Sequence, residues 1–362
     1  MKKRINLSVI LVLIAFAAGI NGAQAVEEHQ KSETKGFNTA EFIFEHVSDA
    51  YEWHILTVNH HHVSIPLPII LYSKKSGFHI FLSNEFHHNG GVYKGFRIEA
   101  EGKLKGKIVE LNETGEVDEA APLPYNFSIT KNAFSIIFTS VLLALIFIGI
   151  AKRYKKEPNS PPKGLQNVFE PFIIFIRDEI AIPSIGEKRY IHFMPILLTL
   201  FFFIWFSNLL GLIPIFPGGA NVTGNISVTM ALALFAFFTI NRHANKDYWK
   251  HIVSPPGIPV FLKLPIPIMP LVEFIGVFIK PFVLMVRLFA NILAGHMVAT
   301  VLLSLIFIFS TMIAWLGFAV APVSLVFLIF MSLLELLVAL IQAYVFTLLT
   351  ALYIGMATEE HH

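Results

Sequence analysis

Five long apolar stretches limit what this chain can fold into. Hydrophobic residues make up 55% of its 362 residues and charged residues only 14%, whereas a soluble domain carries about 25% charged residues. A helix needs roughly 20 apolar residues to cross a bilayer. The stretches therefore predict an all-α membrane protein whose five transmembrane helices cover about 134–151, 191–215, 222–240, 271–310 and 322–356.

The last two stretches are longer than an upright span requires, so their helices must tilt, kink or break. A short turn joins them, which predicts a slanted hairpin of two long helices. Gly295 and the pair Ser310-Thr311 are the candidate weak points of the first helix.

The distribution of Lys and Arg predicts the topology. After the first span, every basic loop residue lies in 152–190 or 241–263, and the turns at 216–221 and about 311–321 have none. Because basic loops stay in the cytoplasm, we expect the N-terminus outside and the C-terminus inside. Residues 165–182 have one apolar face interrupted by charges, which favours an amphipathic helix lying in the membrane interface.

The N-terminal third has a different composition from the membrane domain at 131–362. Residues 1–25 combine a basic start, an apolar run and the small-residue site Ala23-Gln24-Ala25, which predicts a secretory signal peptide. An uncleaved anchor helix is the alternative. Residues 26–130 are polar with short β-like runs, and they predict a small mixed extracytoplasmic domain.

Nine of the fifteen histidines fall between residues 26 and 130, including His60-His61-His62 and His87-His88. Clustered imidazoles can bind zinc or copper, but no acidic residue or cysteine stands at ligand spacing beside them. Solvated surface histidines are the preferred interpretation, and no metal site is predicted. The absence of cysteine excludes disulfides and thiolate sites, and a net charge of +2 gives no reason to expect a nucleic-acid partner.

Polar side chains interrupt the first long apolar stretch. A charge at the bilayer centre costs about 2.5–3.5 kcal/mol on insertion scales, so it marks a partner or a wet cavity. Arg287 is the deepest charge, and because an arginine never loses its proton it is predicted to act as a fixed positive charge and not as a proton relay. Glu273 lies nearer the cytoplasmic end, and Asn291 and His296 follow Arg287.

The second long stretch carries Glu335 and Gln342. One antiparallel register of the hairpin places Gln342 at the depth of Arg287 and Glu335 at the depth of His296. An imidazole beside a carboxylate suits a proton relay, and a buried ion pair that holds two helices together is the alternative. His296 is half a turn around the helix from Arg287, so the two should face different surroundings.

The segment Met285–His296, MVRLFANILAGH, closely resembles the signature of subunit a of the F-type ATP synthase. Further segments resemble that family in the same order, and together they cover roughly 230 residues: Asn208–Pro214, Asn225–Ala233, Ile341–Phe346 and Met356–His361. The resemblance implies a non-catalytic stator subunit without a cofactor, located in the bacterial inner membrane. Its implied partners are the ring of c subunits and the b subunits of the peripheral stalk.

The resemblance also implies roles for residues. Arg287 would face the ring and block a leak between two offset half-channels, with Asn291 and Gln342 around it. His296 and Glu335 would line the outer half-channel, in an order exchanged between the helices relative to some members. Glu273 matches a carboxylate on the cytoplasmic side.

Three alternatives stay open at this stage. A sodium-translocating version of the same subunit fits the sequence equally, because the ion site is thought to lie largely on the ring. A self-contained transporter would usually carry internal repeats, and no duplicated half is found here. A metal-binding protein would use the histidine-rich domain.

Overall fold

The computed structural model describes residues 49–58, 61–88, 91–99, 102–112, 115–117, 122–157, 161–213, 215–253 and 268–359. The predicted signal peptide lies outside the described residues, as does His60. The chain forms two compact units. The sheet unit comprises Ser48–Phe138 and Leu210–Asn221, and the helical unit contains Thr139–Leu209 and Val222–His362.

The sheet unit contains eight short described strands. They are β1 (Glu52–Val58), β2 (His61–Pro66), β3 (Pro68–Ser73), β4 (Gly77–Leu82), β5 (Val92–Tyr93), β6 (Phe96–Ile98), β7 (Ile108–Glu110) and β8 (Tyr125–Asn126), with a short helix α1 (Asn84–His88). Strands β1 and β2 form an antiparallel hairpin. The other six form two three-stranded sheets in the orders β4-β3-β8 and β5-β6-β7. The predicted mixed domain with short strands is thereby confirmed.

Alternation along β3 explains the core of this unit. Ile69 and Leu71 point to the same side of the strand and are fully buried, because successive side chains of a strand point to opposite faces. They pack with Phe81 of β4 and with Phe86, Phe96 and Ile108. The opposite face of the same sheet carries apolar side chains that stay exposed.

Five helices are long and apolar enough to cross a membrane, which confirms the predicted number of spans. They are α2 (Lys131–Lys156), α5 (Tyr190–Leu212), α6 (Ile226–His243), α8 (Ile268–Met312) and α9 (Ala314–Thr358). The remaining described helices are α3 (Leu165–Phe175), α4 (Ile182–Ile185) and α7 (Lys246–Val253), and a π-helical turn at Ile176–Ala181 connects α3 to α4.

The first span begins at a capped end. Thr130 accepts a hydrogen bond from the backbone N–H of Ala133 at 3.3 Å, as a helix N-cap does. Oδ1 of Asp49, distant in sequence, accepts another from the N–H of Asn132 at 3.0 Å. Burial raises the pKa of Asp49 above its ordinary value. The start of α2 is therefore held by Thr130, which directly precedes the helix, and by Asp49, which precedes the first strand in sequence.

Three helix ends differ from the predicted ones for local reasons. Helix α5 stops at Leu212, two residues before Pro214, whose ring disfavours helical backbone in the residue before it. Helix α6 starts at Ile226 and not at 222, because the side chain of Asn225 caps it by accepting from the N–H of Ser227. Helix α9 starts well before Pro322, a proline that its interior tolerates.

Helices α8 and α9 pack against each other as a hairpin that turns at Ile313. Each has 45 residues, so each is roughly 67 Å long at 1.5 Å per residue, about twice the thickness of a hydrocarbon core. The suggested weak points do not break α8, which runs continuously through Gly295 and Ser310-Thr311. The hydroxyls of Ser310 and Thr311 instead donate to the carbonyls of Phe307 and Ile308 within the helix.

Helix α4 packs closely on the last helix. A Cβ added to Gly355 of α9 would overlap the backbone carbonyl of Ser184 and lie 3.7 Å from Cα of Ile185. Only glycine therefore allows this approach. The predicted interfacial segment 165–182 corresponds to α3 and the π-helical turn, and the helical backbone continues into α4 as far as Ile185.

Candidate functional site

The hairpin brings His296 and Glu335 together, as the antiparallel register predicts. Nδ1 of His296 lies 3.5 Å from Oε1 of Glu335, and the side chain of Glu335 is only 7% exposed. Within the described part of the chain, Oε1 of Glu335 is buried and has no hydrogen-bond partner. Burying a carboxyl oxygen without a hydrogen bond costs free energy unless the group is ionised beside a cation or carries a proton. The pair is therefore chemically suited to exchange a proton.

Gly295 provides the space for this carboxyl group. A Cβ at position 295 would stand 2.7 Å from Oε1 and 2.9 Å from Cγ of Glu335, closer than unbonded atoms approach. The prediction that Gly295 is a weak point of the helix is wrong. Its position directly before the only ionisable residue in the C-terminal part of α8 is the signal that could have indicated a close approach.

Arg287 lies on the surface of the chain. Its side chain is exposed, and so is Asn291 one turn later on the same helix. Arg287 forms no ion pair with any residue that the structure describes. His296 is half-buried against Glu335, so the predicted difference in surroundings between Arg287 and His296 is observed. The outer surface of α8 thus presents a guanidinium and an amide to whatever covers it.

Gln342 does not form a hydrogen bond with Arg287, although the hairpin register places both at the same depth. Gln342 is buried at 7% exposure, whereas Arg287 is exposed. The two therefore occupy different faces of the hairpin. Depth could be read from the residue spacing, but the face on which each side chain lies depends on how the helices rotate against their neighbours.

Glu273 and Lys280 lie on the same stripe of α8, and both are half-buried. Nζ of Lys280 sits 5.1 Å from the ring centroid of Tyr353 and 6.0 Å from that of Tyr248, which is within range of a cation–π contact. Burial raises the pKa of Tyr248, and the negative charge of Glu273 adds to this rise. Glu273 therefore belongs to a polar group near α7 that is separate from the His296–Glu335 pair.

A buried polar cluster ties α5 to α9. Nδ2 of Asn208 donates to the carbonyl of Ala339 at 3.5 Å, and Thr223 donates its hydroxyl to Oδ1 of the same asparagine. Asn208 and Thr223 are both buried. Asn208 was predicted only as part of a family motif. Its contact with Ala339, which lies between Glu335 and Gln342 on α9, was not predicted.

The described residues contain no group of three or more His, Asp, Glu or Cys side chains that could hold a metal ion. Of the histidine cluster His60-His61-His62, the first residue and all three side chains lie outside what the structure describes. The possible metal site in that cluster therefore stays untested.

Comparison with known proteins places these features in a family. A family model described as ATP synthase A chain matches residues 133–355, and a second, described as a domain of unknown function, matches residues 42–129. The chain is 44% identical over 245 residues to "ATP synthase subunit a" of Chloroherpeton thalassium, covering 66% of this chain and 69% of the relative.

Two further relatives agree with this match. "ATP synthase subunit a 2" of Chlorobaculum tepidum is 43% identical over 242 residues, covering 65% of each chain. "ATP synthase subunit a" of Anaeromyxobacter dehalogenans is 41% identical over 237 residues, covering 64% of this chain and 58% of the relative. The match thus spans about three-fifths to two-thirds of the length of these relatives.

Proposed function

This chain belongs to the ATP synthase A chain family, and from that premise we propose that it carries protons through the membrane sector of an F-type ATP synthase past Arg287. The family moves ions in that sector as a membrane subunit. The proposal adds the ion, the residues and the path to that general function.

The exposed position of Arg287 carries the proposal. Within the part of the chain that the structure describes, no acidic side chain pairs with it, and it lies in the interior of a 45-residue apolar helix. A charge there requires a partner, and a ring of c subunits that presents carboxylates would supply one. Since arginine keeps its proton, it would attract the deprotonated ring carboxylate and prevent protons from passing directly between two half-channels.

The two polar groups of the hairpin are suited to separate half-channels. His296 and Glu335 would deliver protons on the outer side, and Glu273 would serve the cytoplasmic side. Asn291 lies exposed beside Arg287 and would contact the ring, while buried Gln342 would shape the hairpin at the same depth. In this proposal, proton flow along this path is coupled to rotation of the ring and to ATP synthesis, and the chain acts as a non-catalytic subunit.

We place the protein in a bacterial inner membrane with the sheet unit on the periplasmic side and the C-terminus in the cytoplasm. Basic loops at 152–190 and 241–263 support this orientation. The segments that form the sheet unit also support this orientation. The start of α2 and the end of α5 both belong to that unit, so they must lie on the same side of the membrane. The proposed partners besides the ring are the b subunits of the peripheral stalk.

The test is the variant Arg287→Ala in the complete complex, reconstituted into vesicles and driven by an imposed proton gradient. We expect ATP synthesis to fall to background, whereas the control Arg177→Ala, on a solvent-exposed arginine paired with Asp178, should leave it near normal. Near-normal synthesis by Arg287→Ala would contradict the proposal. The same assay with and without Na⁺ separates proton transport from the sodium alternative, since only a sodium path requires the added ion.

A further inference from the structure

One face of the β4-β3-β8 sheet exposes a continuous apolar surface, which we call the aromatic face. Its members on β3 and β4 alternate with the core residues of those strands, and Phe78 and Phe127 are 62% and 63% exposed. The aromatic face consists of Tyr72, Phe78, Ile80, Leu82, Tyr125 and Phe127. Soluble proteins rarely leave such a surface uncovered, so its presence indicates an interaction site.

The strand register shows that these side chains adjoin one another. Tyr72 of β3 is paired with Phe78 of β4 on one side and with Tyr125 of β8 on the other. The rings of Tyr72 and Tyr125 are 6.3 Å apart. Ile80 is paired with Ile70, which extends the apolar surface along the sheet.

The sheet ends where the first membrane span begins. The N–H of Phe127 donates to the carbonyl of Ile70, and the N–H of Ile129 donates to that of Pro68. The next residue, Thr130, caps helix α2. The last hydrogen bond of the sheet, at Ile129, is therefore directly followed by the cap of the span, with no linker between them.

A buried tryptophan on β1, in the hairpin beside this sheet in sequence, packs on the same helix end. Trp53, only 3% exposed, packs edge-on against Phe134 in the first turn of α2 and against Phe216, with ring centroids 5.7 and 5.3 Å apart. Phe216 lies in the turn that follows α5. The sheet unit thus includes the first turns of α2 and the last turn of α5 as well as the strands.

We propose that the aromatic face rests in the interfacial layer of the bilayer beside α2 and contacts lipid. Tyrosine and other aromatic rings favour the headgroup level of a membrane. Lys74 is exposed in the turn between β3 and β4, where it can bind a lipid phosphate, as basic residues beside an inserted apolar face do. The sheet unit is accordingly a membrane-surface domain, whichever ion the hairpin carries.

The chain contains no cysteine, so a single introduced cysteine gives a unique site for a spin label. We would label Ile80→Cys and Phe127→Cys in the full chain, reconstituted into vesicles of phosphatidylethanolamine and phosphatidylglycerol. Leu145→Cys on the exposed side of α2 is the reference for lipid, and Lys105→Cys in an exposed turn is the reference for water. The measurement compares relaxation by oxygen, which concentrates in lipid, with relaxation by a water-soluble nickel chelate.

The proposal expects the ratio of oxygen to nickel accessibility at Ile80→Cys and Phe127→Cys to exceed that of Lys105→Cys several-fold and to approach that of Leu145→Cys. A ratio equal to that of Lys105→Cys would show a surface in water and overturn the proposal. Low accessibility to both reagents would show a surface covered by protein, either residues 1–47, a second copy or another subunit, and would overturn it equally. Both labelled side chains are exposed, so neither substitution removes a core contact.

Discussion

Oε1 of Glu335 approaches Nδ1 of His296 to 3.5 Å across the α8–α9 hairpin while the carboxyl group stays buried. The two residues are 39 positions apart in sequence but share one depth in the membrane domain. This contact sets His296 apart from Arg287 on the same helix. His296 faces the neighbouring helix, and Arg287 faces outward.

Exchange of the two residues tests whether they act as a pair. The single variants His296→Glu and Glu335→His each leave two like groups together, and we expect each to lower ATP-driven proton pumping at least about tenfold, given the usual 10²–10⁴-fold effect of a positioned acid–base group. The double variant restores one imidazole and one carboxylate and should recover most of the activity. Pumping by the double variant that is no better than by either single variant would contradict the pairing.

Enlarging position 295 should disturb the same carboxyl group. In Gly295→Ala the new Cβ would lie 2.7 Å from Oε1 of Glu335, so Glu335 must move away from His296. We expect slower proton pumping and a loss of about 1–3 kcal/mol in stability from overpacking, measured by thermal unfolding in detergent. Gly276→Ala, on the same helix with no atom within 4 Å of its Cβ, is the matched control and should change neither quantity.

The contact between α4 and α9 predicts a purely structural effect. Gly355→Ala would drive a methyl group into the carbonyl of Ser184, so α4 must detach from the last helix. The expected loss of stability is about 1–3 kcal/mol, visible as a lower unfolding midpoint. Gly149→Ala in α2, which has open space at its Cβ, should leave the midpoint unchanged. Equal midpoints for the two variants would show that the close approach is absent.

Asp49 predicts a pH dependence of the sheet unit. Because burial raises the pKa of Asp49 in the folded chain, the folded state binds its proton more tightly than the unfolded state does. Its contribution to stability is therefore fully present below the ordinary pKa of 3.8 and is lost as pH rises through the higher folded pKa. Unfolding midpoints measured from pH 3.5 upward should show this loss.

The variant Asp49→Asn keeps an acceptor for the N–H of Asn132 but cannot ionise. We expect its midpoint to vary less with pH and to equal or exceed that of the natural chain near neutrality. Asp49→Ala also cannot ionise but lacks the acceptor, so it should be less stable than Asp49→Asn by about 0.5–2 kcal/mol at every pH, as the loss of a helix cap implies. An identical pH profile for the natural chain and Asp49→Asn would rule out Asp49 as the origin of the dependence.

The spans and the depth of their polar residues could be predicted from the sequence, because a bilayer imposes both a length of apolar chain and a high cost on charge. Depth alone paired His296 with Glu335. Depth did not predict that Arg287 and Gln342 lie on different faces of the hairpin. The rotation of each helix is set by close contacts such as those at Gly295 and Gly355, and residue spacing does not reveal these contacts.

Helix ends were predicted less well for a related reason. The start of α6 depends on one hydrogen bond that the side chain of Asn225 accepts, and α9 starts before Pro322, where the span was predicted to begin. The pairing of β3 with β8 could not be predicted either, because the two strands are more than fifty residues apart in sequence. A sequence pattern predicts a strand or a span, but it does not predict which other elements pack against that strand or span.

The packing of Trp53 on Phe134 and Phe216 has a consequence for biogenesis. The sheet unit is discontinuous, and its last segment, Leu210–Asn221, starts in the final turn of α5. Trp53 can therefore meet both of its neighbours only after α2 and α5 have been synthesised. Its packing stays incomplete while the first part of the membrane domain is being made, so the sheet unit matures late although most of its residues are synthesised early.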